Sequence, residues 1–498
     1  MVDCIGIPEF WRRGSVAEAN RNSLGSSLGQ PLGGKERASR RMIPLRLCGE
    51  RVPRALKSRV RVGSESDARP VGKPMRLQQK GDAGKALAGS RLAEDRPGRA
   101  SAKVAEPGRQ PIILVFCDYY LPGYKAGGPV RSISQLVAAL GQEFSFRVVT
   151  RDRDLGDDDS YPGIETADLV RVGEAGVIYL PPEAITLAHL RRLLQSQEHH
   201  LVYLNSLLSP GFTIRTLLLR RLKLIPKVPV ILAPRGEVSD GALRLKWFAK
   251  RCYLAIGKLL GLFEGLWWHA SSNHEAEDIR RAFGPRAVIV EAPPMPGLET
   301  GLAAGGFSPR PYRQASMLKV VFLSRVSRMK NLDGALRILH DVQGNVQFDI
   351  YGTCEDRPYW TECEALLAAL PPNVVARYKG AVRPGEVKEM LSQYDLLFLP
   401  TKGENYGHVI VEALSAGCPV LISDRTPWKE LERKRVGWDI PLHHPAAFVD
   451  TIERLIRMPS EGFSSMAPHI HKFVHEQIGS SRSLEQNREL FRKALASG

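Results

Sequence analysis

Four charged residues in the second half of the chain have the types and spacing that group transfer from a phosphorylated donor needs. Glu404 stands in the polar run Gly403-Glu404-Asn405, and Glu412 follows eight positions later, inside the apolar run Val409-Ile410-Val411-Glu412-Ala413-Leu414. That run reads as a helix starting near Gly407 and stopping before Gly417, a residue suited to the left-handed position after a helix. Glu404 then lies just ahead of the helix. The amides of residues 405–409, those of Asn405, Tyr406, Gly407 and His408 among them, face the same way and form an anion-binding end. Gly407 lets a ligand approach the backbone closely. At ~1.5 Å of rise per residue, Glu412 lies roughly one sugar-plus-phosphate span further along. A carboxylate, a nest of amides and a second carboxylate suit a ligand with hydroxyls at both ends and phosphates between, as in a nucleotide-sugar. The plain alternative is a solvated loop residue and a carboxylate that caps a neighbouring loop, because this spacing alone is common by chance.

Arg325 ends the apolar run LKVVFLS, and Lys330 precedes the following helix. Two cations at the carboxyl edge of a parallel sheet can neutralise a diphosphate leaving group, through charge-assisted bonds that strengthen as the bond to it breaks. Arg328, between them, is read as spare. Gly352 and Gly380 each end a strand and fit either a close ligand approach or an ordinary turn.

The elements that must position these residues alternate in type. Order begins at Pro111 with IILVFCDYY, a near-continuous apolar run expected of a strand buried on both faces. A glycine-rich loop, LPGYKAGGP, leads into a helix over Val130 to Leu140, with Pro129 at its first position. FRVVT, LVYLN, a basic helix 212–223, PVILAP, a helix 241–260, GLWWHAS, a helix 273–283 and AVIV follow. A second series runs LKVVFLS, helix 331–342, VQFDIYG, helix 358–369, VVARYKG, helix 384–392, DLLFLP, helix 407–416 and PVLIS. Alternation of this kind predicts an α/β fold of two doubly wound, Rossmann-like domains, whose ligands bind beyond the carboxyl ends of the strands, in the cleft between them. The expected division is 1–109 a disordered basic extension, 110–290 an N-terminal acceptor domain, 291–316 a linker rich in Pro and Gly, 317–480 a nucleotide-sugar domain and 481–498 a terminal helix returning to the N-domain.

Composition sets the outer limits. The chain has 498 residues and net charge +17, and residues 1–109 hold 23 Lys+Arg against 11 Asp+Glu, so +12 of the charge falls there. The high overall charge is therefore a property of the extension, and no nucleic-acid partner is expected of the folded part. The extension is too poor in apolar residues to offset chain entropy; a translation start further along, near Met75, is the competing reading of it. The seven cysteines form no C-x-x-C pair, which fits a reducing compartment. No apolar run is long enough to span a bilayer, the longest candidate, Trp247 to Trp268, being broken by Lys250, Arg251, Lys258 and Glu264.

The segment ENYGHVIVEALSAGCPVLIS resembles the E-x7-E signature of retaining glycosyltransferases of family 4, the group 1 type with the GT-B fold. SRVSRMKNLDGAL resembles the other C-domain element of that family, and DIYGTCEDRPYW, ARYKGAV and TPWKELERKRVGWDI are similar to stretches of bacterial polysaccharide and cell-wall members. The resemblance covers roughly residues 111–495. It implies that Glu404 holds hydroxyls of the donor sugar, that Glu412 holds the nucleotide ribose, and that the backbone of Asn405, Tyr406, Gly407 and His408 meets sugar and phosphate. By the same resemblance Arg325 and Lys330 form the phosphate clamp. The reaction implied is same-face transfer in which the leaving phosphate assists the acceptor proton.

On the N-domain side, Gly127 and Gly128 open the first helix, where they pass close to donor phosphate or acceptor. Arg131 puts a positive charge in that helix's first turn, against the macrodipole, which an anionic ligand would explain. Lys125 is a weaker candidate. Many members of the family place a histidine beyond the strand that corresponds to PVILAP; here the residues are Arg235-Gly236-Glu237. Arg235 is a candidate contact to acceptor or sugar, Glu237 a candidate acceptor base, and His269 a candidate at the end of a later strand, with a hydrogen-bonded structural histidine as its alternative. EAPPMP likewise departs from the family's Pro-Asn-Gly turn. Asp157-Asp158-Asp159 lacks companion ligands, and clamping by Arg and Lys removes the need for a metal, so no metal and no cofactor beyond the donor are expected. The basic helices near 212–223 and 241–260, with Arg220 and Arg221 among their charges, suit an anionic membrane surface or a solvated face.

The expected protein is thus a metal-independent glycosyltransferase of polysaccharide or cell-wall synthesis. It is expected in the cytoplasm or at the inner face of the membrane, acting on a glycan or lipid-linked acceptor. A nucleotide-sugar epimerase on the same fold, a non-catalytic nucleotide-sugar-binding subunit and a basic nucleic-acid-binding protein are the alternatives. Turnover without acceptor, donor binding without transfer, and dependence on residues 1–109 would mark them respectively.

Overall fold

The computed structural model describes residues 109–164, 168–239, 247–295, 317–478 and 481–498. The extension over 1–108 and most of the linker, 296–316, lie outside the described residues, as does the start of the helix expected over 241–260.

The N-domain is an eight-stranded sheet: β1 (Ile112–Cys117), β2 (Ser145–Arg151), β3 (Leu169–Val172), β4 (Ala175–Leu180), β5 (Leu201–Asn205), β6 (Val230–Ala233), β7 (Trp267–Ala270) and β8 (Val288–Glu291). Their spatial order is β3-β4-β2-β1-β5-β6-β7-β8. Its helices are α1 (Gly128–Leu140), α2 (Leu187–Ser196), α3 (Arg215–Arg221), α4 (Trp247–Leu259) and α5 (Asn273–Phe283). All six residues of β1 are buried, as its apolar run requires, and it pairs in parallel with β2 (Ile112 opposite Ser145) and with β5 (Ile113 opposite Leu201). Among the described residues the one antiparallel pair is β3 with β4, a hairpin turned at Gly173, φ 58°. β3 alternates exposed and half-buried residues at the sheet edge, so no buried run announced it.

The C-domain is a six-stranded, all-parallel sheet in the order β11-β10-β9-β12-β13-β14. Its strands are β9 (Leu318–Leu323), β10 (Val346–Tyr351), β11 (Val374–Gly380), β12 (Leu396–Leu399), β13 (Val420–Ser423) and β14 (Gly437–Ile440). Around it lie α6 (Leu332–His340), α7 (Arg357–Ala368), α8 (Val387–Ser392), α9 (His408–Ser415), α10 (Pro445–Arg457) and α11 (Ser460–Phe473). In each sheet the strand order reverses beside the first strand, between β1 and β5 and between β9 and β12. The loops leaving those strands therefore diverge and open a crevice. Lys330 follows β9 and Glu404 follows β12, so both stand at the C-domain switch point.

The last helix, α12 (Ser481–Ala496), returns to the N-domain. Leu490, Phe491 and Ala494 are buried among Ile133, Leu136, Phe144 and Tyr203. The Phe491 ring lies 5.4 Å from Phe144, 5.8 Å from Phe146 and 5.8 Å from Tyr203. Arg488 donates to both oxygens of Glu143 at 2.8 Å, and Asn487 Nδ2 donates to Pro293 O at 2.8 Å. A helix that enters the chain last thus completes the first domain's core. Phe491→Ala should lower unfolding stability by about 3–5 kcal/mol in a denaturant titration, the cost of an emptied aromatic site; a loss under 1 kcal/mol would mean α12 is not seated there.

Candidate functional site

A cleft of about 860 Å³ lies between the domains, lined by Gly127, Arg131, Arg325, Lys330, Glu404 and Glu412 together with the first turn of α9. That volume is of the size that holds a nucleotide-sugar.

Two loops build its C-domain wall, and they are stitched together. Lys402 N donates to Met329 O at 2.8 Å, Thr401 Oγ1 to Met329 O at 3.0 Å, and Asn331 Nδ2 to Pro400 O at 2.9 Å. Asn331, with φ 60°, turns the chain into α6. The stitching brings Lys330 and Glu404 together as an ion pair, their side chains 17% and 10% exposed. Glu404 N is bonded in turn to Arg425 O, 3.0 Å away, in the loop after β13. Arg325 stands on the same wall, more exposed, with Glu355 4.0 Å away.

α9 begins as its residues demand. Gly407 sits at the left-handed N-cap position with φ 82°, and no side chain caps the helix. Among the described residues, no backbone carbonyl accepts from the amides of Asn405 to His408, and these four residues line the cleft. Tyr406 is fixed from behind: its carbonyl accepts from Trp428 Nε1 at 2.5 Å, and the two rings pack edge to face at 5.6 Å. His408 Nε2 meets Ser132 Oγ of α1 at 2.9 Å. Burial, reinforced by the charges of Arg131, Arg235 and Lys330, lowers the His408 pKa to about 3, so its imidazole is neutral at physiological pH.

Glu412 forms an ion pair with Arg131, across the cleft in α1. Arg131 was expected on the acceptor side; the structure puts it on the carboxylate expected for the ribose, because the first turn of α1 faces α9. Glu412 Oε2 is buried with no hydrogen-bond partner among the described residues. Gly127, φ 69°, has open space where a Cβ would stand, and Gly128 faces His408 with room for one at 3.5 Å. Gly352 has a different reason to be glycine: a Cβ there would lie 1.8 Å from Ser324 O. It lets two backbones touch along the cleft wall, so packing accounts for it without a ligand. Lys125 is turned toward Asp157 Oδ1, at 2.5 Å.

Three N-domain candidates are held by partners within the N-domain, and two of them, Arg235 and Glu237, also line the cleft. His269 is 1% exposed, donates from Nε2 to Ala292 O (2.7 Å) and accepts at Nδ1 from Tyr203 OH (2.7 Å), and has its pKa lowered to about 3 by burial; it does not line the cleft. Arg235 turns inward to Asn205 Oδ1 at 2.7 Å, Ser271 Oγ at 3.1 Å and Tyr203 OH at 2.8 Å, which engages every nitrogen of its guanidinium. Glu237 accepts from Ser206 Oγ at 2.8 Å and from the amides of Leu207 at 2.6 Å and Leu208 at 3.0 Å. It pins the loop that leaves β5 and also lines the cleft. Its own spacing in the chain could not show this, because the bonds go to residues about thirty positions earlier.

Sequence reading missed Glu275, in the first turn of α5. It is 2% exposed and reaches both Gly236 N, at 2.6 Å, and Asn405 Nδ2, at 3.1 Å, on the opposite domain. The one local signal is Ser272-x-x-Glu275, the spacing of a helix-capping box, which marks a helix start and nothing more.

Residues 313–467 match the family described as glycosyl transferases group 1. Among solved structures, the chain is similar to sucrose-phosphate synthase from Thermosynechococcus elongatus, with a TM-score of 0.59 and 17% identity over 78% of this chain and 100% of that one. HepE of Anabaena, solved in complex with UDP and glucose, gives 0.57 and 13% over 78% and 100%. WaaG, a glycosyltransferase involved in lipopolysaccharide biosynthesis, gives 0.56 and 13% over 76% and 99%. No curated protein matches the sequence. The fold is the two-domain GT-B arrangement, and the group 1 match falls in its C-terminal half.

Burial raises the Glu237 pKa from 4.5 to about 7, against the lowering effect of its three bonds. The folded state therefore binds the proton more tightly than the unfolded one. The stability this contributes is full below pH 4.5 and is lost as pH rises through about 7, roughly 3 kcal/mol in all. Glu237→Gln should flatten that slope in urea titrations between those pH values; an unchanged slope would assign it to another group.

Proposed function

We propose that the protein is a retaining glycosyltransferase that moves a sugar from a nucleoside-diphosphate donor to a glycan or lipid-linked acceptor. The observation that carries this reading is the arrangement in the cleft: Lys330 with Glu404, Arg131 with Glu412, and the open first turn of α9 between the two pairs. Glu404 would hold sugar hydroxyls, and the unpartnered Oε2 of Glu412 would accept from a ribose hydroxyl. The diphosphate would lie on the amides of α9, with Lys330 and Arg325 beside it. These groups are fixed before reaction, so they stabilise the charge that grows on the leaving diphosphate with little reorganisation. The acceptor oxygen bonds to the anomeric carbon as the carbon–oxygen bond to phosphate breaks, and the acceptor proton passes to the departing phosphate oxygen on the same face. Two cations and a helix end neutralise the leaving group, so no metal is needed for that task, and chelator should leave the rate unchanged.

Glu404→Gln and Lys330→Ala should each lower transfer about 10²-fold or more, measured as acceptor-dependent release of nucleoside diphosphate, with the unfolding midpoint little changed. Full turnover in both variants would overturn the assignment. Turnover that needs no acceptor would point to an epimerase, and donor binding without turnover in the unaltered protein to a binding subunit.

The acceptor reading places the protein at an anionic membrane surface on the cytoplasmic side. No described helix is long and apolar enough to cross a membrane. Arg220 and Arg221 are not the charges that would reach lipid, because they donate to Glu264 O, Gly265 O and Leu260 O and tie α3 to the end of α4. The exposed face beside them carries Leu222, Ile256, Leu259 and Leu260, the third 86% exposed, with Lys223 and Lys258 in the same two segments. Apolar residues among lysines suit shallow insertion between anionic headgroups. The full chain should sediment with vesicles containing phosphatidylglycerol and not with phosphatidylcholine alone, and Leu259→Glu with Lys258→Glu should weaken this several-fold. Equal sedimentation of that double variant would reject the face.

A further inference from the structure

Glu275 begins as a capping residue and ends as something else. Ser272 caps α5 by accepting from Glu275 N at 3.3 Å. A capping glutamate normally reaches back to the amide of its own cap residue. Glu275 instead accepts from Ser271 N at 2.7 Å through Oε2 and from Gly236 N at 2.6 Å through Oε1. Its Oε2 also takes Asn405 Nδ2, 3.1 Å away, from the residue that follows Glu404. Gly236, at φ 82°, makes this approach feasible: a Cβ there would stand 3.1 Å from Asn405 Cβ. A buried carboxylate thus joins three places: the head of α5, the loop after β6, and the donor-side loop of the opposite domain.

We infer that Glu275 is a positioning residue, holding the Asn405 side chain against the loop at Gly236 and so setting the gap between the head of α9 and the N-domain. The inference rests on the proposed reading of the cleft as a donor site, and it adds the part that aligns the two domains. The backbone amide of Asn405 and the carboxylate of Glu404 are consecutive, so a displaced Asn405 side chain shifts the groups that face the sugar. Asn405→Ala removes the bridge and leaves Glu275 with both backbone amides, so the fold is retained.

The test compares Asn405→Ala and Asn405→Asp in the full chain. Asn405→Ala should lower kcat about tenfold, the rate equivalent of one bond to a charged acceptor, with donor KM changed less and the unfolding midpoint unchanged. Asn405→Asp sets a carboxylate against Glu275. Two carboxylates at that distance share a proton, so its kcat should fall further at pH 8 and recover toward the alanine variant as the pH drops to about 6. A purely structural role would not produce that pH profile. Asn405→Ala with native kcat, or an Asn405→Asp profile parallel to the native one, would overturn the inference. Glu404→Gln, assayed alongside, separates the two levels: if it kept full turnover, the donor-site reading itself would fall.

Discussion

Lys330 and Glu404 are opposite charges that leave adjacent strands of one parallel sheet, and the loops that carry them are bonded to each other. That constraint organises the C-domain. An ion pair at this depth would be costly to form from freely moving side chains. Here Asn331, Thr401 and Lys402 fix the two backbones through Pro400 and Met329, so the pair is positioned by the scaffold. The head of α9 is open to the same space because a left-handed glycine, and no capping side chain, starts the helix. A diphosphate entering there would meet a cation and unpaired amides whose geometry is already set.

The N-domain answers with contacts of its own. Arg131 meets Glu412, Ser132 meets His408, and Glu275 meets Asn405. These three contacts join α1 and α5 to the α9 segment. The two carboxylates proposed to hold donor hydroxyls, those of Glu404 and Glu412, are paired with Lys330 and Arg131. Binding of a donor would exchange those partners for hydroxyls and phosphate. The two carboxylates are thereby kept from standing as uncompensated buried charges.

Much of this was legible in the chain. The buried runs of β1, β9 and β12 and the glycine at the head of α9 showed both the doubly wound domains and the place of the cleft, because each is a local pattern. What the sequence did not disclose depends on pairing at a distance. Glu237 and His269 have the residue types of catalysis, yet their hydrogen-bond partners at Ser206 to Leu208, Tyr203 and Ala292 lie far from them in the chain. Glu275 read as a helix cap, because nothing near it in the chain announces Gly236 or Asn405. β3 escaped notice for a different reason: an edge strand needs no buried run, and its register comes from the turn at Gly173.

The central claim is that a nucleoside diphosphate is gripped between Lys330 and Arg325 and the amides that open α9. A crystal of the full chain grown with a nucleoside-diphosphate sugar addresses it most directly. The account predicts electron density for the diphosphate against the amides of Asn405 to His408, with the ribose at Glu412 and the sugar at Glu404. An empty cleft, with the same molecule bound elsewhere on the protein, would contradict it.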